Sequence, residues 1–215
     1  MFDLSTRRLY LCVPHREDMA SFLPAALRGG VDVVQLREKL LSDETRRATG
    51  RLMTAICRDH DVPFIMNDSP ELALQVGADG VHVGQEDVGV EHCRAVLGVD
   101  ALVGLSTHAN DEFNAALAQP ATYFSAGPIV ATPTKAGRPG TGVEYALRCQ
   151  ARSDRPVFVT GGVDATTIDD LVARGLRHFV VVRAICDAEN PEAAARAIRG
   201  ALEQALSAVP VQPAQ

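Results

Sequence analysis

Eight short apolar runs rich in β-branched residues recur along this chain and alternate with segments of helical periodicity. The runs predict strands at 9–13, 31–36, 63–66, 80–83, 101–105, 122–125, 156–159 and 178–182. Segments rich in Ala, Leu, Arg and Glu predict helices at 46–60, 71–76, 112–119, 168–173 and 191–206. Strict alternation of strand and helix predicts right-handed βαβ units and a parallel sheet.

Eight such units within 215 residues predict the α/β class and a single-domain (β/α)₈ TIM barrel over residues 1–206, followed by a disordered tail at 207–215. An open, doubly wound sheet is the alternative. Closure is favoured because the count is eight, no strand has the polar composition of an edge, and no GxGxxG motif follows the first strand. In a barrel the loops that follow the strands carry the chemistry, so their polar residues are the candidates for a site.

Composition restricts the partners. The formal net charge of -6 disfavours nucleic acid and anionic membranes, so an anionic small molecule needs a local cluster of cations. The five cysteines form no CxxC motif, which is typical of reduced, buried thiols. No stretch approaches the ~18 apolar residues of a membrane span, and the N-terminus lacks the apolar segment of a signal peptide. We therefore expect a cytosolic protein.

Polar residues follow the second, third and fourth strands. Gln35, Arg37 and Lys39 share one side of an extended chain, although a surface charge run with a chance period of two is an alternative. Asp68 and Asp87 lie in the loops that follow the next two strands, and neighbouring strands lie ~4.8 Å apart, so both carboxylates can reach one Mg²⁺ ion. Helix capping is the alternative for Asp87, and it is the preferred interpretation for Ser69, which precedes a proline.

The remaining strand ends carry weaker signals. Ser106, Thr107 and His108 lie at the end of the fifth strand and have a direct role, or else Ser106 or Thr107 caps the next helix and His108 is a solvated first-turn residue. His82, within a strand, is interpreted as a core or supporting residue. The long loop at 126–140 is typical of a lid or binding loop, and a flexible surface loop is its alternative. The glycines at 161–162 and the residues at 182–183 suit a phosphate, although a tight turn also explains the glycines.

Taken in order, these segments resemble the thiamine phosphate synthase family from about residue 9 to residue 191. The motifs are QLREK at 35–39, ND at 67–68, GADGVHVGQED at 77–87, STH at 106–108, GPIxxTxTK at 127–135 and GG at 161–162. Each motif alone is weak, and six in order at strand ends form a specific signal.

The resemblance implies a Mg²⁺-dependent transferase that couples an aminopyrimidine diphosphate with a thiazole phosphate and releases diphosphate. The implied pyrimidine diphosphate site is Gln35, Leu36, Arg37, Glu38, Lys39, Asn67, Ser106 and Lys135, of which Arg37, Lys39, Ser106 and Lys135 are the catalytic residues. The implied metal ligands are Asp68 and Asp87. The implied thiazole phosphate site is Thr132, Pro133, Thr134, Gly162, Val182 and Arg183.

The chain departs from the family pattern at three positions. A serine is common at position 183, where this chain has Arg183, and glycine or an apolar residue is frequent in place of Ser125 and Thr160. Two other functions stay open. One is a related thiazole tautomerase, with His108 as general acid and base. The other is a non-catalytic barrel that binds a thiamine precursor.

Overall fold

The computed structural model describes residues 2–132 and 139–208. Its strands close into a barrel in which every neighbouring pair is parallel, including β1 with β8. The strands are β1 Leu9–Val13, β2 Val33–Leu36, β3 Phe64–Asn67, β4 Gly80–Val83, β5 Leu102–Thr107, β6 Tyr123–Ala126, β7 Val157–Thr160 and β8 His178–Val181. The predicted closed barrel is confirmed, and each strand boundary lies within two residues of the predicted one.

The helices of the described residues cover the outside of the barrel. They are α1 Met19–Arg28, α2 Asp43–Asp59, α3 Pro70–Val76, α4 Val90–Leu97, α5 Asn110–Leu117, α6 Val143–Arg152, α7 Ile168–Ala173, α8 Arg183–Cys186 and α9 Pro191–Ala208. α9 takes in the first two residues of the predicted tail, and residues 209–215 lie outside the described ranges. No helix within those ranges is long and apolar enough to cross a membrane.

Ser69 caps α3 as predicted, because its Oγ accepts the Leu72 N–H at 3.2 Å and Pro70 is the first helical residue. Four helices were given no residue range from the sequence, although the strict alternation predicted a helix between strands. α1 contains a proline, α8 has only four residues, and α4 and α6 begin after glycines that supply no capping side chain. These helices lack the start signals and the long periodicity on which the prediction rests.

Side-chain alternation builds the barrel interior in layers. Tyr10, Val33 and Ile65 belong to a buried apolar cluster inside the barrel. Two residues further along the same strands stand Cys12, Gln35 and Asn67, which are also buried. Because side chains two apart share a face, the interior changes from apolar to polar toward the C-terminal ends of the strands. That change places polar groups at the barrel mouth.

Candidate active site

A cavity of about 390 Å³ opens at the barrel mouth, a volume suited to small organic molecules. Strand ends and the loops that follow them supply its walls. The lining residues are Tyr10, Cys12, Gln35, Arg37, Asn67, His82, Ser106, Ser125, Thr132, Thr160, Gly161, Gly162, Val163, Asp164, Val180, Val182, Arg183 and Ala184. The cavity thus brings together eight of the predicted site residues: Gln35, Arg37, Asn67, Ser106, Thr132, Gly162, Val182 and Arg183.

Other predicted residues lie elsewhere. The Leu36 side chain packs into the core between barrel and helices, which leaves only its backbone for a ligand. The Glu38 carboxylate accepts the Leu40 N–H at 2.9 Å. Pro133, Thr134 and Lys135 lie outside the described residues.

Asp68 and Asp87 form a carboxylate pair beside the cavity. Lys39 Nζ lies 2.7 Å from Asp68 Oδ2, and the Gly84 N–H donates to Asp87 Oδ2 at 2.8 Å. Burial raises the pKa of Asp68, the neighbouring Asp87 adds to that rise, and Lys39 opposes it. The capping interpretation of Asp87 is wrong, because α4 begins after Gly89 and the Asp87 carboxylate turns back to Gly84.

The pair suits a hard divalent cation. Two adjacent carboxylates repel each other, and a cation between them removes that repulsion. Within the described residues no group of three or more His, Cys, Asp or Glu side chains is placed to hold a metal. Two protein carboxylates with the other positions left to water and substrate oxygens is the usual arrangement for Mg²⁺.

A hydrogen-bonded polar group forms the cavity floor. His82 Nε2 lies 2.8 Å from Ser106 Oγ, which in turn lies 3.2 Å from Ser125 Oγ. All three side chains are buried. Ser106 lies within β5, and α5 begins after Ala109, so the capping interpretation of Ser106 is wrong. His82 is buried, as its place in a strand predicted, and it also lines the cavity.

Asn67 contributes an unused donor. Its side chain is 6% exposed, lines the cavity, and has no partner for Nδ2 among the described residues. A buried donor left without an acceptor costs roughly 1–3 kcal/mol. An acceptor atom on a bound ligand removes that cost.

The loops after β7 and β8 expose backbone groups to the cavity. Gly161 and Gly162 have φ of 94° and 71°, and a Cβ on Gly162 would lie 2.6 Å from Val130 Cγ2. Thr167 Oγ1 donates to the Gly162 carbonyl at 2.9 Å and so braces the turn. Both glycines are needed for the turn, and both line the cavity, so the turn interpretation is confirmed and the phosphate interpretation stays a prediction.

His108 lies apart from the cavity lining of the described residues. Its Nδ1 contacts the Gly127 carbonyl oxygen, and its backbone N–H donates to Glu112 Oε2 at 2.7 Å. The ring therefore holds the start of the β6–α6 loop.

Sequence reasoning missed several lining residues. Tyr10 was assigned only to the first strand, Cys12 was interpreted only as a buried thiol of that strand, and Val163 and Asp164 were not singled out. The period of two that selected Gln35 and Arg37 also selects Tyr10 and Cys12 on β1, so that signal was present in the sequence.

Comparisons with known proteins identify relatives of this chain. A family model described as thiamine monophosphate synthase matches residues 9–185. A thiamine-phosphate synthase from Thermus thermophilus is 44% identical over 199 residues, which are 89% of this chain and 95% of that protein. One from Thermosynechococcus vestitus is 39% identical over 202 residues, and this chain spans 58% of its length. The solved structure of thiamine phosphate pyrophosphorylase from Pyrococcus furiosus has a TM-score of 0.83 at 26% identity and covers 93% of this chain and 96% of its own.

Proposed function

This chain belongs to the thiamine monophosphate synthase family, and we propose that it is a transferase that joins an aminopyrimidine diphosphate to a thiazole phosphate, giving thiamine monophosphate and diphosphate. The observation that carries the proposal is that the barrel mouth has two chemically different halves. Carboxylates and cations gather at the ends of β2, β3 and β4, and glycine backbone stands at the end of β7. Such a mouth suits two different anions in one cavity.

The cation side of the mouth is proposed to hold the diphosphate. Arg37 and Lys39 supply positive charge there, and we assign Lys135 the same role. Mg²⁺, held by Asp68 and Asp87, would neutralise charge on the departing diphosphate, an effect of several kcal/mol. Gln35, Asn67 and Ser106 then hold the pyrimidine ring, and the Asn67 donor without a partner supports this assignment.

The proposed reaction is dissociative. The bond between the pyrimidine methylene carbon and the diphosphate oxygen breaks, and the oxygen keeps the electron pair. The aminopyrimidine ring stabilises the resulting cation until the lone pair of the thiazole nitrogen forms the new C–N bond. The protein supplies orientation and leaving-group stabilisation, so no nucleophilic side chain is required.

The thiazole phosphate is assigned to the glycine side. Thr132, Gly162 and the backbone of Val182 line this part of the cavity, and we assign Pro133 and Thr134 to the same site. The Arg183 side chain is exposed at the cavity lining, where it adds positive charge that a serine would not supply.

The tautomerase alternative is not favoured, because it needs His108 beside the substrate, whereas the ring contacts Gly127 outside the described cavity lining. We further propose a cytosolic location and no nucleic-acid or membrane partner. The five cysteines, all described, buried and outside any disulfide, support the location.

The test is an assay with aminopyrimidine diphosphate, thiazole phosphate and Mg²⁺, in which diphosphate and thiamine monophosphate are both quantified. The proposal expects the two products in equal amounts and only when both substrates are present. Conversion of the thiazole alone would establish an isomerase, and binding without turnover would establish a non-catalytic barrel.

A further inference from the structure

A chain of buried hydrogen bonds runs across the barrel beneath the cavity. Gln35 Nε2 donates to Tyr10 Oη at 2.8 Å, and Tyr10 Oη lies 2.9 Å from Tyr123 Oη. Tyr123 Oη lies 3.1 Å from His82 Nδ1, and His82 Nε2 lies 2.8 Å from Ser106 Oγ. The chain therefore joins Gln35 to Ser106, two residues assigned above to the pyrimidine.

The Gln35 amide, at one end of this hydrogen-bond chain, determines which hydroxyl donates to which. An amide nitrogen donates and does not accept, so the Tyr10 proton goes to Tyr123. In this orientation both ends of the amide have a partner, since Gln35 Oε1 accepts from Cys12 Sγ at 3.3 Å. The opposite direction would leave the Tyr10 proton buried without an acceptor on Gln35, which is unfavourable.

The direction of donation from Tyr10 to Tyr123 also determines which nitrogen of His82 carries the proton. Tyr123 accepts from Tyr10 and donates to His82 Nδ1, which must then be unprotonated. Burial raises the pKa of both Tyr10 and Tyr123, so both phenols keep their protons. The imidazole then carries its proton on Nε2 and donates it to Ser106.

We propose that Tyr123 and His82 are positioning residues that act through Ser106. The Nε2–H tautomer of His82 occupies one acceptor site of Ser106 Oγ, so the Ser106 hydroxyl proton is directed to Ser125 or to an acceptor atom of the ligand. Resting on the proposed function, this arrangement leaves the Ser106 proton available for an acceptor atom of the ring, such as a pyrimidine nitrogen.

The tautomer is measured directly in the free, full-length protein by nitrogen-15 NMR of the histidine rings, with the His82→Gln spectrum providing the assignment. We expect the proton of the His82 ring to be on Nε2. Tyr123→Phe removes the donor to Nδ1 and should shift the ring toward the other tautomer. Tyr10→Phe is the matched control, because it deletes a phenol from the same chain but leaves Tyr123 to donate to His82. The His82 tautomer should be unchanged in Tyr10→Phe. A proton on Nδ1 in the unsubstituted protein, or equal changes in the two Phe variants, would overturn the proposal.

Turnover gives a second readout. His82→Leu should lower kcat about tenfold, the scale of one hydrogen bond in a transition state, whereas His82→Gln retains an N–H donor and should recover most of that loss. Equal kcat in the two variants would refute a positioning role. If the unsubstituted protein forms no diphosphate, the proposed function fails, and the tautomer still decides the proposal because it is read without substrate.

Discussion

The two ends of the barrel use charged residues in opposite ways. At the N-terminal ends of the strands, Asp32 accepts the Leu9 N–H at 2.8 Å and Arg199 Nη1 at 2.7 Å. Arg155 there donates to three backbone carbonyls, at distances of 2.7, 3.1 and 2.7 Å. At the mouth, the Arg37 and Arg183 guanidinium groups have no ion-pair partner within residues 2–132 and 139–208.

The difference separates stability from function. A buried charge whose hydrogen bonds are all satisfied by its own chain holds elements together and has little left for a ligand. The Lys39–Asp68 pair at the mouth differs, because both side chains remain partly exposed. A charge or donor without a partner lowers stability and gains energy only when a ligand arrives. Substitutions at the two ends should therefore affect different measurements.

The largest effect is expected at the carboxylate pair. Asp87→Asn keeps the shape of the side chain but removes a charge from the metal site, and diphosphate release should fall roughly a thousandfold, equivalent to about 4 kcal/mol. Steady-state diphosphate release at saturating Mg²⁺ measures this. Glu86→Gln, an exposed neighbour, is the matched control and should stay within about twofold. Normal turnover in Asp87→Asn would remove the metal assignment.

At the opposite end, Asp32→Asn should reduce the free energy of unfolding by about 3 kcal/mol, because it leaves buried donors on Arg8, Leu9 and Arg199 poorly matched. Urea unfolding gives the value. Turnover at a temperature where the variant is folded should be unchanged. Loss of activity in the folded variant would contradict the separation of the two ends.

His178, at the start of β8, should give a pH-dependent effect of about 2 kcal/mol. Burial lowers its pKa to about 4, with the charges of Arg8 and Arg177 contributing. The unfolded chain binds a proton below pH 6.5 and the folded chain does not, so stability falls as pH drops from 6.5 toward 4. The difference in unfolding free energy between pH 7 and pH 5 should shrink by about 2 kcal/mol in His178→Gln. An unchanged difference would exclude His178 as the source.

The smallest effect is expected at Arg183. Arg183→Ser should raise KM for thiazole phosphate about threefold and leave KM for the pyrimidine diphosphate unchanged, because one exposed cation contributes little. The difference should disappear at high salt. Arg51→Ser, an exposed arginine on α2, is the control for net charge. Equal rises in both KM values would assign Arg183 to no particular site.

The sequence predicted the strands well because β-branched runs and their period of two are local signals. The helices that it missed, α1 and α8 among them, contain a proline or a single turn and lack such signals. The cavity residues Gln35 and Arg37 followed from alternation along one strand.

The hydrogen-bond chain from Gln35 to Ser106 could not be predicted from the sequence. Tyr10 and Tyr123 are 113 residues apart and meet only because the barrel closes. Within its own strand each tyrosine has the pattern of an ordinary core residue. Long-range polar contacts of this kind depend on closure and register, which no local pattern encodes.

The most direct test of the contrast between the two ends is calorimetric titration with inorganic diphosphate in the presence of Mg²⁺, applied to the unsubstituted protein, Asp87→Asn and Asp32→Asn. We expect the unsubstituted protein and Asp32→Asn to bind one diphosphate per chain, and only when Mg²⁺ is present. We expect no measurable diphosphate binding in Asp87→Asn. Unchanged affinity in Asp87→Asn, or loss of binding in folded Asp32→Asn, would contradict the assignment of anion binding to the mouth.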